Sequence, residues 1–188
     1  MAAPTTEFTS RQTDIPGLII FDVTSIGDER GWFQEKYQKA KLVEAGMPDS
    51  FDVVQTNVSY NKEAGVIRGF HAEPWDKYIS VASGKVFCAF VDLRDLDSFG
   101  KVVTVELSNN KAVFLPSGVA NGFQTLSETI YMYSVNDHWS QENYDKYTFV
   151  NLGDPYIGVK WPIPLEESIM SDRDRAHPML EDLKPKEN

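Results

Sequence analysis

The sequence predicts a mainly β fold of antiparallel strands, a sandwich or barrel, in a single domain spanning 1–188. Three observations predict it. Short segments rich in β-branched and aromatic residues follow one another closely from about residue 50 to 140. Gly84, Asn109-Asn110 and Pro116-Ser117-Gly118 separate them with turn-forming chemistry. No repeat, low-complexity tract or Pro/Ser-rich linker divides the chain, and 188 residues suffice for one sizeable core.

The elements follow in order. Residues 1–14 are polar and read as a loose arm. GDERGWF, residues 27–33, reads as a turn leading into an extended stretch. Residues 36–46 carry the strongest helical pattern: Tyr37, Ala40 and Val43 share a face, and Gly46 with Pro48 stops it. FDVVQTNVSY, YISVAS, KVFCAFVDL, KVVTVELS, KAVFLP and ETIYMYSVND then read as strands. KVFCAFVDL is apolar at nearly every position, which suits a strand covered on both faces. After WPIP the chain turns polar, and 165–188 reads as a partly helical tail.

Composition narrows the function. Eighteen basic and 28 acidic residues leave a formal charge of −10. Nucleic-acid affinity comes from neutralising phosphates, so such a chain is a poor general nucleic-acid binder, although a local basic cluster still suits a small phosphate ester. No apolar run approaches the roughly 20 residues needed to cross a membrane, and the N-terminus lacks a secretory pattern. The one cysteine, Cys88, lies in an apolar strand and reads as buried filler. A reducing cytoplasm is the expected location.

The segment VIRGFHAEPWDKYIS, residues 66–80, runs against the acidic bulk. It gathers Arg68, His71 and Lys77 around a glycine turn. A histidine beside cations is favoured in its neutral, proton-accepting form. A lysine can stabilise an oxyanion and an arginine can clamp a phosphate or carboxylate. The segment alone also fits a satisfied structural histidine between two surface cations.

RGFH at 68–71 is similar to the RGLH motif of the dTDP-4-dehydrorhamnose 3,5-epimerase family, and the likeness continues along the chain. It takes in GDERGWFQE, QTNVS, HAEPWDKYISVASGKV, LPSGVANGFQTLS, YSVNDHW, DPYIGVKWP and SDRD. HAEPWDKYISVA and GVANGFQ resemble its streptococcal-type branch. The resemblance implies a cupin-like antiparallel β-jelly roll with short flanking helices, a homodimer, and a dTDP-linked 4-ketosugar as substrate. It implies inversion at the two carbons flanking the C4 ketone through enolates, with no cofactor and no metal.

By the same resemblance His71 is the general base and Asp174 holds its imidazole in one tautomer. Lys77 meets the keto oxygen, and Tyr133 is the general acid. IYMYSV alternates, so Tyr131 shares a face with Tyr133 and is the alternative should the register differ. Arg30 and Arg68 match arginines near the diphosphate. Glu35, Gln55 and Asn57 match residues that contact the nucleotide or line the site, and Trp139 matches the ring stacked on thymine. Asn121 departs from the family's usual histidine and puts the preference for C3, C5 or both in question, although the streptococcal-type branch also carries asparagine. Trp75 is expected to wall the pocket and His177 to lie at the surface. A C3-only epimerase or a 3,4-ketoisomerase is the related alternative. A metal-dependent cupin would need a clustered His/Glu ligand set, and the three histidines include no HxH pair.

Overall fold

The computed structural model describes residues 5–183. In chain order the first elements are β1 (Phe8–Gln12), β2 (Ile19–Val23), β3 (Ile26–Asp28), β4 (Gly31–Phe33), α1 (Lys39–Glu44) and β5 (Gln55–Asn61). They are followed by β6 (Ile67–Ala72), β7 (Lys77–Ser83), β8 (Val86–Asp92), β9 (Val102–Leu107), β10 (Lys111–Leu115), β11 (Val119–Thr125) and β12 (Thr129–Val135). The last are α2 (Gln141–Tyr144), β13 (Thr148–Phe149), α3 (Asp172–Arg175) and α4 (Leu180–Leu183).

The strands form a six-stranded sheet, ordered β1-β2-β10-β7-β12-β5, a five-stranded sheet, ordered β13-β6-β11-β8-β9, and the hairpin β3-β4. Every pairing between named strands is antiparallel, the arrangement of a cupin-like jelly roll.

Strand alternation sorts the apolar side chains into three layers. Ile79, Val81, Cys88, Phe90, Val113 and Phe123 fill the space between the sheets. Phe21, Tyr78 and Phe114 face the other way, against Leu42 of α1 and Met47 and Phe51 of the following loop. Ala89, Val91 and Ala120 of the second sheet pack under Val150, Leu152, Ile157 and Leu180 of the C-terminal segment. Both faces of β8 are therefore covered, which is why its sequence barely alternates. Each such fully buried side chain of Phe or Leu size contributes about 1.5–3 kcal/mol.

Two expectations change. Phe8–Gln12 is not loose: it pairs with β2 as an edge strand. Four of its five side chains are exposed, so it joins through backbone hydrogen bonds and shows no apolar alternation. The rest of the predicted arm includes residues 1–4, which lie outside the described residues, as do 184–188 of the tail. The helix is shorter than 36–46 and begins after Gln38, whose side chain accepts from the Lys41 amide. Among the described residues no helix is long and apolar enough to cross a membrane.

Candidate active site

A cavity of about 390 Å³ opens between the sheets. Asn57 and Ser59 of β5, Lys77 of β7 and Tyr131 and Tyr133 of β12 line it from one sheet; Arg68 and His71 of β6 and Asn121 and Phe123 of β11 line it from the other.

The RGFH spacing has a local cause. Simple alternation would put Arg68 and His71, three apart, on opposite faces of β6. The register against β11 pairs Arg68 with Phe123 and His71 with Asn121, so β6 spends one residue more than its neighbour. That bulge turns both side chains into the cavity while Ile67, Phe70 and Ala72 stay in the outer layer. Gly69 sits at the extra position with φ 121°. A Cβ there would lie 2.5 Å from the Gly122 Cα and 2.6 Å from the Asn121 carbonyl oxygen, so the strands can approach this closely only with glycine.

The imidazole of His71 is fixed from behind. Its Nε2 lies 3.0 Å from Oδ1 of Asp174 in α3. Burial acts first on Asp174 and would raise its pKa, but the hydrogen bond and charge of His71, with Ser171 and His177, win and hold it below the usual carboxylate value. The ionised carboxylate accepts from Nε2–H, leaving Nδ1 with the lone pair.

On the opposing sheet the Tyr133 phenol has its pKa raised, chiefly by burial and then by the charge of Glu73, against a lowering by Arg68. It stays protonated at neutral pH and can give up a proton. Lys77, only 4% exposed, donates to Asn121 Oδ1 at 2.8 Å and pairs with Glu73 Oε1 at 2.6 Å. Burial lowers its pKa, and Glu73 counters part of that. Its Nζ is 5.6 Å from the centre of the Tyr133 ring.

The expected binding residues divide. Arg68, Asn57 and Asn121 line the cavity. Gln55 lies beside them, donating to Asn57 Oδ1 at 2.8 Å and accepting from the Trp139 amide at 3.0 Å. Trp139 itself is 57% exposed beyond this edge. Arg30 and Glu35 are not among the lining residues of this cavity. Arg30 is exposed on the β3–β4 hairpin and pairs with Asp28; Glu35 pairs with Lys41.

Trp75 is buried behind the cavity, donating to Glu73 Oε2 at 2.5 Å, and does not line it. His177 is a correction. Expected at the surface, it is 8% exposed, stacked on Phe149 and edge-on to His71. The tail folds back over β6 and carries His177 inward with it, a burial that neighbouring charges in RDRAHP concealed. Glu73, Ser59 and Phe123 line the cavity without having been singled out. Glu73 carried one signal, its place four residues before Lys77. Cys88 is buried, as expected of filler. His71, Asp174 and His177 present ligand-type atoms within 4.8 Å of one another. Within that group His71 Nε2 is already hydrogen-bonded to Asp174 Oδ1.

Moving a proton at carbon requires a base, an acid on the other face, and a cation for the oxygen that receives the charge. A cavity furnished this way defines an isomerase acting beside a carbonyl group. The sequence comparisons agree. The family model described as dTDP-4-dehydrorhamnose 3,5-epimerase matches residues 12–182. An RmlC homolog from Streptococcus pyogenes is 49% identical over 177 residues, covering 92% of this chain and 89% of the relative. RmlC from Streptococcus suis, solved with dTDP-D-xylose, superposes with a TM-score of 0.89 at 47% identity, covering 95% and 94% of the two chains. A dTDP-6-deoxy-D-glucose-3,5-epimerase, RmlC from Legionella pneumophila, solved with dTDP-4-keto-L-rhamnose, superposes with a TM-score of 0.81 at 31% identity, covering 97% and 99%. The chain belongs to the dTDP-4-dehydrorhamnose 3,5-epimerase family.

Proposed function

We propose that this protein converts dTDP-4-dehydro-6-deoxy-D-glucose to dTDP-4-dehydro-L-rhamnose, the double epimerisation of dTDP-L-rhamnose synthesis, in the cytoplasm. The carrying observation is the carboxylate-backed His71 facing Tyr133 across one cavity, with Lys77 buried beside them. The Nδ1 lone pair of His71 takes the proton from C3 or C5. The C–H electrons become the enolate double bond, and the ketone oxygen takes up negative charge beside the Lys77 ammonium. Tyr133 returns a proton to the same carbon from the other face, inverting it. The imidazolium and phenolate then re-equilibrate with water.

Arg68 clamps the diphosphate, Gln55 and Asn57 hold the nucleotide edge, and Trp139 stacks on thymine, a contact worth about 1–3 kcal/mol. Arg30 and Glu35 reach a site only if a second copy brings them. The hairpin exposes Trp32 at 54% and Phe33 at 63%, and the edge strand β5 exposes Val58 and Tyr60. These apolar surfaces support a homodimer in which the hairpin of one copy completes the other's cavity.

Asn121 stands where the family usually has histidine, and its carboxamide oxygen is engaged by Lys77, so it holds the ammonium and shuttles no proton. Proton NMR of the substrate in deuterated water tests the whole reading. Loss of both the C3 and C5 signals is expected, unaffected by a chelator. Exchange at C3 alone would replace it with a C3 epimerase, and absence of exchange would overturn it.

A further inference from the structure

Glu73 has no part in the proton transfers above, yet its carboxylate is among the most enclosed polar groups of the cavity wall, 8% exposed. Both oxygens are committed. Oε1 lies 2.6 Å from Lys77 Nζ and Oε2 accepts from Trp75 Nε1 at 2.5 Å. The residue's backbone is pinned as well: its carbonyl accepts from the Gly118 amide at 3.2 Å and from Ser117 Oγ at 3.3 Å. Nearby, Asp76 accepts from the Ser117 amide at 2.8 Å, and its own amide donates to Asn136 Oδ1 at 2.9 Å. The turn between β6 and β7 is thus a rigid bracket.

Stability alone does not account for this pair. Dehydrating two charges costs about as much as their attraction returns, so an apolar pair of similar volume would serve the fold as well. The geometry of the lysine explains it better. An ammonium has three N–H bonds. One goes to Glu73 and one to Asn121, on different walls, and these two anchors fix where the third points. The open direction is the cavity, where the Tyr133 ring lies 5.6 Å away.

We propose that Glu73 is a positioning residue for the reaction: its carboxylate holds Lys77 protonated and aims it at the ketone oxygen. Asn121 is the second anchor. The inference rests on the epimerase reading for the identity of that oxygen. Burial lowers the lysine's pKa, and the charge and hydrogen bond of Glu73 oppose this. Burial chiefly raises the Tyr133 pKa, and the same negative charge adds to that rise, so Glu73 acts on the ammonium and the phenol in the same direction.

The test reads the lysine directly and through turnover. In wild-type enzyme carrying carbon-13-labelled lysine, with the signal assigned by Lys77→Arg, Lys77 remains charged at pH 8. In Glu73→Gln it loses its proton at least one pH unit lower. Glu73→Gln lowers kcat about 10–100-fold, less than the roughly 10²–10³-fold of a lost oxyanion donor because the ammonium is misaimed rather than removed, with KM within threefold. The alkaline limb of its pH–rate profile moves down, because the ammonium and the phenol both lose their protons earlier. Glu73→Asp keeps the charge and restores the limb with part of the rate. In a Lys77→Met background Glu73→Gln lowers kcat less than twofold further.

A neutral Lys77 at pH 8 in the wild type would overturn the proposal. So would a Glu73→Gln limb that coincides with the wild type, or losses that multiply in the double variant. If Glu73→Gln fails to fold, the wild-type titration decides. That titration needs no turnover, so absence of C–H exchange in the wild type would sink the epimerase reading and leave the Glu73–Lys77 pairing separately testable.

Discussion

Replacing Gly69 by alanine tests whether the bulge in β6 builds the site. The new Cβ would stand 2.5 Å from the Gly122 Cα and 2.6 Å from the Asn121 oxygen, both backbone atoms that cannot rotate away. Ordinary contact needs roughly 1 Å more, so β6 and β11 must part by that amount. Overpacking of this kind costs about 1–3 kcal/mol, and holding alanine at φ 121° adds about 1–3 kcal/mol. For a protein of this size each kcal/mol lowers Tm by about 2–4 °C, so the total comes to about 4–24 °C. His71 and Asn121 face each other across the separating pair. A displacement near 1 Å at reacting groups costs about 10²-fold in rate.

Gly46, after α1 and away from the cavity and the hairpin, supplies the control. Its φ is 105°, and a Cβ built there meets only Ser10 Oγ at 3.8 Å, so Gly46→Ala carries the backbone strain without the collision. Thermal melting of both variants, with deuterium wash-in at C3 and C5 by NMR, separates the two terms. Gly69→Ala is expected to melt lower than Gly46→Ala by about 2–12 °C, the collision alone, and to lose most of its exchange. Equal melting temperatures with wild-type exchange in Gly69→Ala would refute the account of RGFH given above.

Asp174→Asn removes the charged acceptor of His71 and should lower kcat about 10–150-fold, the equivalent of the 1.5–3 kcal/mol of a charge-assisted bond; turnover within threefold of wild type would dismiss the support role. Tyr133→Phe should still exchange a C–H proton but form inverted product about 10²–10⁴-fold more slowly, read by NMR of the product; a wild-type yield would count against the phenol. The folded pKa of Asp174 lies below its unfolded value, so its stabilisation is full above about pH 4 and is lost as pH falls through the folded value. Melting curves from pH 7 to 3 should therefore fall more steeply for wild type than for Asp174→Asn; parallel curves would contradict the shift.

The strands legible in the sequence were those whose two faces are both claimed by apolar layers, such as β8, or whose alternation is clean, such as β9 and β12. Two of the strands that line the cavity, β6 and β11, were harder to see. β6 and β11 each carry a glycine and polar residues facing a cavity, and the bulge breaks the period by which strands are recognised. β1 was hidden for the opposite reason: an exposed edge needs only its backbone. Within the site, His71, Lys77, Tyr133, Arg68, Asn57 and Asn121 line one cavity. Glu73 and His177 escaped because burial of a charged or polar residue depends on what folds over it, and in both cases that partner is distant in sequence or hidden behind a turn.

The tail brings Asp174 to a histidine 103 positions earlier in the sequence. It is anchored by apolar side chains of its own, Leu180 and Leu183 against Val150 and Leu152, and by bonds from Asn151 to the carbonyls of Arg175 and His177. During synthesis the imidazole therefore leaves the ribosome long before the carboxylate that readies it. A partly made chain can shape its sandwich before that support arrives, and a protease that nicks the tail should slow exchange before the sheets come apart.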